Sequence, residues 1–170
     1  LSFERSVAAE AATMKSKAAW RMVAAAMQMR FLELFREEMG ATYGVSVRAD
    51  WDQRWTQAEM KVSFQCDPKR AKELRTAALA EIKRITSEGV SADHFAKARE
   101  AQLNKLETSM QLNDFWLARL AYLYFNNKPL SEIHAQKAIV EGMTLEDLKA
   151  AQRDFLSVNT AGIAVHLPTK

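Results

Sequence analysis

Apolar residues recur at helical spacing from Ala11 to Met39, through Met14, Ala18, Met22, Ala25, Met29, Leu32 and Phe35. Ala, Met, Leu, Glu and Arg fill the run and all favour helix, so the pattern predicts one long amphipathic helix. Gly40 follows at once, where helices commonly end on a left-handed residue. The period then changes to two. Tyr43, Val45, Val47, Ala49 and Trp51 alternate with polar residues, and after the polar segment 52–54 so do Ala58, Met60, Val62, Phe64 and Cys66. Two adjacent alternating runs predict an antiparallel hairpin with one buried and one wetted face.

Asp67 before Pro68 marks a helix start, and Ala71, Leu74, Ala78, Ile82 and Ile85 carry the apolar stripe of that helix as far as Gly89. Ser91 caps a third helical run reaching toward Phe125, with a break near Asn113, where a short polar side chain competes for backbone hydrogen bonds. Its expected inward residues are Phe95, Ala98, Leu106, Met110, Leu117, Leu120 and Tyr124. A short helix after Pro129, another capped by Thr144 with Asp147, and a closing strand Ile163–Leu167 complete the pattern. With Leu1 to Phe3 as the tail of a further strand, the order predicts an α+β fold: a largely antiparallel sheet with helices on one face.

Composition narrows this picture. The chain has 170 residues, 48% of them hydrophobic, with five Gly and three Pro, so it can bury a core and is neither collagenous nor of low complexity. No linker or repeat divides it, which predicts one domain over residues 1–170. Position 1 is Leu, not Met, and the expectation is an excised part of a longer polypeptide. Lys and Arg number 24 against 21 Asp and Glu, too small an excess to argue for nucleic acid. The longest stretch free of charge, Phe155 to Thr169, is shorter than the ~20 apolar residues of a spanning helix, so no membrane span is expected. A single cysteine, Cys66, rules out an internal disulfide and leaves the compartment open.

Candidate chemistry is sparse. His94, His134 and His166 open the runs HFAK, HAQK and HLPT, which match neither His-Glu-x-x-His nor His-x-x-Glu-His, so this chain is expected to hold no metal. Cys66 reads as a small buried hydrophobe, and the scattered glycines form no phosphate loop. Trp51 and Trp55 flank the hairpin turn, a poor place to bury two indoles, and are expected to leave at least one partly exposed for a partner. The segment Leu32 to Val47 places Arg36 in the last turn of the first helix and Tyr43 at the start of the strand. A guanidinium and a phenol there are two donors able to polarise a peptide carbonyl. Equally, an arginine at that end suits the helix dipole, and a strand tyrosine suits a core.

The run LFREEMGATYGVSV, with its preceding Ala-rich helix, resembles the C-terminal half of an insulinase-type (pitrilysin-like) zinc metallopeptidase. FQCDPKRAKEL, GVSADHFAKAREAQL, QLNDFWLARL and GMTLEDLKAA follow in the order and spacing of bacterial members, so the resemblance covers nearly the whole chain. It implies a metallopeptidase half-domain that lacks the zinc motif and closes over a homologous zinc-binding half, on the same polypeptide or a separate subunit. It also implies that Arg36 and Tyr43 are lent to that half's active site, hydrogen-bonding the substrate carbonyl and stabilising developing negative charge. Zinc is then a cofactor of the partner half, peptide is the substrate, and bacterial resemblance favours the periplasm or cell envelope. This chain alone is expected to be inactive, and its truncated first strand leaves a sheet edge open to self-association. Two other classes compete: a catalytically silent assembly subunit of the same superfamily, and an RNA-binding α+β module. The latter needs a basic-Gly-aromatic strand motif that KVSFQC, at Lys61 to Cys66, lacks.

Overall fold

The computed structural model describes residues 2–6, 13–52, 57–156 and 162–164. It is an α+β fold with an antiparallel three-stranded sheet in the order β1-β3-β2, where β1 is Ser2–Ser6, β2 Val45–Asp52 and β3 Gln57–Phe64. The predicted hairpin is present, with Val45 opposite Phe64 and Trp51 opposite Ala58. β1 pairs with the other side of β3, from Ser2 opposite Lys61 to Ser6 opposite Gln57. Ala58, Met60 and Val62 point into the core while Lys61 and Ser63 are exposed, as the alternation requires.

The first helix, α1, runs over Met14–Leu32, with Thr13 as its N-cap accepting from the Ser16 amide. It differs from the expected amphipathic helix in that almost every side is buried: Trp20, Met22, Val23, Ala26, Met27 and Phe31 are all enclosed. The reason is position, because α1 packs on β2 and is itself covered by α3 (Ala92–Met110), α5 (Ala135–Glu141) and α6 (Leu145–Phe155). Nor does the α-helix continue to Met39. From Glu33 to Glu38 the backbone widens to a π-helical turn.

Helix α2, Ala71–Glu88, follows a 3₁₀ turn at Pro68–Arg70 that Asp67 caps, and buries Leu74, Ala78, Ile82 and Ile85 of its stripe, while Ala71 at its start is only half-buried. Gly89, with φ +87°, ends it in a backbone region that suits glycine. The next run breaks as expected, into α3 and α4 (Asn113–Phe125). The inward set of α4 is corrected, however. Leu117, Leu120 and Tyr124 are exposed, and Leu123 is the buried residue of that helix. A 3₁₀ turn, Leu130–Ile133, leads into α5, and Thr144 and Asp147 form the reciprocal capping box of α6. Of the expected strand Ile163–Leu167, Ile163 and Ala164 are not in strand and the rest lies outside the described residues.

Candidate functional site

The connection from α1 to β2 carries both predicted site residues, and each local choice turns them outward. In the π-helical turn, Phe35 is fully buried, stacked on Phe31 at 5.4 Å between centroids and tilted against Phe64 at 4.8 Å. That anchor leaves the next residue, Arg36, on the exposed side. The wide turn closes with the Met39 amide donating to the Leu34 carbonyl at 3.0 Å and the Ala41 amide to the Phe35 carbonyl at 2.8 Å. Gly40, at φ +54°, supplies the left-handed residue that reverses the chain.

Thr42 is buried beyond this reversal. Its hydroxyl donates to the Gly44 carbonyl at 3.0 Å and accepts from the Gly44 amide at 3.3 Å, a local turn that holds Tyr43 at its apex. Tyr43 is fully exposed, so it precedes the strand and is no part of the core, contrary to its place in the alternating run. Arg36 meets no carboxylate or carbonyl among the described residues. The helix end is served instead by Arg70, whose Nη1 donates to the Met39 carbonyl at 3.2 Å while its other nitrogens grip Glu73. That fork holds the Glu73 carboxyl below its ordinary value. Arg36 and Tyr43 thus share one connection as free donors, and no hydrogen bond joins them.

A polar network behind the connection fixes it to the helices. Arg30 donates to Glu38 at 2.6 Å and to Glu81 at 3.0 Å, and Arg84 donates to the same Glu81 oxygen at 2.6 Å. Burial works against the Glu81 charge, but hydrogen bonds from Arg84 and Arg30 outweigh it and hold the carboxyl below the ordinary range. His94, buried, shares one ring nitrogen with Glu33 at 3.0 Å and the other with Ser91 at 2.8 Å. Glu81 and Glu33 did not stand out in the sequence, because their partners Arg30 and His94 lie on other helices.

Among the described residues no three His, Cys, Asp or Glu side chains stand where a metal could be held. His94 is engaged, exposed His134 stacks edge-on against Trp116 at 5.6 Å, and His166 lies outside the described residues. Cys66 is a half-buried free thiol. Trp51 is half-buried with the Lys17 ammonium 5.8 Å from its ring, and Trp55 lies outside the described residues. No helix among those described is long and apolar enough to cross a membrane.

The sequence pattern of the peptidase M16 inactive domain matches residues 9–102, more than half of the chain. The chain belongs to this family. A zinc protease PQQL-like protein of Arabidopsis thaliana is 28% identical over 145 residues, which cover 82% of this chain and 15% of that protein. The periplasmic protease PqqL of Escherichia coli superposes with a TM-score of 0.75 at 18% identity, over 91% of this chain and 17% of its own. The peptidase M16 inactive domain from Pseudomonas fluorescens superposes with a TM-score of 0.73 at 16% identity, over 94% of this chain and 39% of its own. This M16 chain therefore spans less than a fifth of the Arabidopsis thaliana and Escherichia coli proteases, and the structural likeness, at such identities, is one of fold.

Proposed function

We propose that this M16 domain closes over a homologous zinc-binding half, as one domain of a longer protein, and lends Arg36 and Tyr43 to peptide hydrolysis there. One observation carries the reading: Tyr43 stands fully exposed on a turn anchored by buried Thr42, beside a helix end whose Met39 carbonyl is served by Arg70 and not by Arg36. Two donors with nothing of their own to serve are oriented toward whatever faces this connection. The zinc belongs to the other half, since this chain's described residues do not fit it. The chain's own contribution is binding and charge stabilisation. The Arg36 guanidinium donates to a carbonyl of the peptide, and the Tyr43 hydroxyl donates to the oxygen on which negative charge develops. The similarity to a periplasmic protease supports a place in the periplasm or cell envelope.

The test uses the complete enzyme, zinc half included. Tyr43→Phe should lower turnover by about 10²–10³, the scale of losing one oxyanion donor, with a smaller change in KM. Arg36→Lys keeps the charge but loses the planar fork, and should impair turnover as well. Near-normal turnover in both variants would reduce the domain to a scaffold for assembly.

A further inference from the structure

The π-helical turn that carries Arg36 is held at both ends by side chains that peptide hydrolysis itself does not use. At its first residue, Glu33 lies 3.0 Å from the His94 ring of α3. A carboxylate can only accept, so the His94 Nε2 carries a proton and donates, while Nδ1 stands 2.8 Å from the Ser91 hydroxyl. The start of α3 gives this bond a firm base. Buried Val90 precedes it, and Ser91 caps it by accepting from the His94 amide at 3.1 Å. At the last residue of the turn, Glu38 accepts from Arg30 at 2.6 Å, and the same guanidinium donates to buried Glu81 at 3.0 Å and stands 3.7 Å from the second Glu33 oxygen.

The backbone shows why the ends matter. The Met39 amide donates to the Leu34 carbonyl, five residues back, and the Ala41 amide donates to the Phe35 carbonyl. Tightening the turn to a regular α-helix would hand the Met39 amide to the Phe35 carbonyl, the one that now accepts from Ala41. The chain reversal at Gly40 would lose that tie, and the Thr42 turn that presents Tyr43 follows directly from it. Buried Phe35 seats the middle of the turn, so its register depends on what holds Glu33 at the entry and Glu38 at the exit. π-Helical turns are rare and occur mostly at functional sites, where the extra width re-aims side chains.

We propose that Glu33 and His94 are positioning residues: their hydrogen bond locks the entry of the π-helical turn against α3 and keeps the reversal that presents Arg36 and Tyr43 to the zinc half. This role rests on the proposed work of those two donors on peptide. Glu33 and His94 touch no substrate and act through the register of the backbone.

The experiment uses the complete enzyme and reads two quantities, hydrogen exchange in the segment 34–41 by mass spectrometry and steady-state turnover. Glu33 is half-exposed and alanine favours helix, so Glu33→Ala should leave the melting curve intact. It should speed exchange in that segment at least fivefold and lower kcat about tenfold, with KM within about twofold. Glu33→Gln keeps the acceptor and should restore both, whereas His94→Asn, too short to reach Glu33, should reproduce both losses. Added to Tyr43→Phe and Arg36→Lys together, Glu33→Ala should lower kcat by less than about twofold further, because the donors it positions are already impaired. Unchanged exchange or unchanged kcat in Glu33→Ala, no recovery in Glu33→Gln, or a full tenfold loss in the doubly substituted background would each overturn the positioning role. Normal turnover in both Tyr43→Phe and Arg36→Lys would overturn the reading beneath it and this role with it, and those two variants tell that failure apart from the others.

Discussion

Tyr43 shows how a single residue can satisfy a strand pattern without joining the strand. Its spacing before Val45 fits the alternation, but the Thr42–Gly44 turn intervenes and throws the phenol into solvent. Removing its hydroxyl should therefore leave thermal stability within about 0.5 kcal/mol of the parent, as at other exposed sites, so any loss of turnover in Tyr43→Phe reports chemistry. Glu81 is the opposite case. It reads as a surface residue of α2, yet it is buried and accepts from both Arg30 and Arg84. Glu81→Gln keeps the shape and removes the charge, and should cost about 2 kcal/mol in urea unfolding, the scale of hydrogen bonds to a charged group. A change near zero would show that desolvation cancels the pairing.

At the scale of elements, the chain's punctuation does most of the placing. The Asp67-Pro68 start, the Ser91 cap and the Thr144–Asp147 box all close as their residue types predict. Asp147 also binds Lys15 of α1 at 2.6 Å, and the Lys15 and Thr144 hydrogen bonds lower its carboxyl to about 2. A carboxyl depressed in the folded state stabilises it above the ordinary value near 4 and stops doing so as pH falls toward 2. Melting temperature should accordingly drop through that window, and Asp147→Ala should flatten the drop while costing about 1 kcal/mol at neutral pH. Parallel acid profiles of parent and variant would contradict the assignment. The π-helical turn is the element that spacing could not announce. Its residues are ordinary helix formers, and the widening is visible only once Phe35 is seated between Phe31 and Phe64.

Across the whole molecule, burial distributes differently from the periodicity of individual helices. α1 is central and enclosed, whereas α4 shows Leu117, Leu120 and Tyr124 on one exposed face. Replacing Leu117 and Leu120 together by Glu should shift stability by less than about 1 kcal/mol, while Leu123→Ala, in the buried row, should cost about 3 kcal/mol. Chemical denaturation of the two variants compares them directly. Equal losses would mean that the apolar face of α4 is covered in solution.

What the sequence by itself determined was the local layer: the hairpin, the helix starts and the break before Asn113. Those follow from period, caps and glycines, which act within a few residues. Tertiary structure alone decided which helix is central, which side of α4 faces in and which cation guards the end of the π-helical turn. An apolar stripe states that a face prefers burial, but only the neighbouring elements supply the surface that buries it, and Arg70 and Glu81 acquire their roles from partners far along the chain.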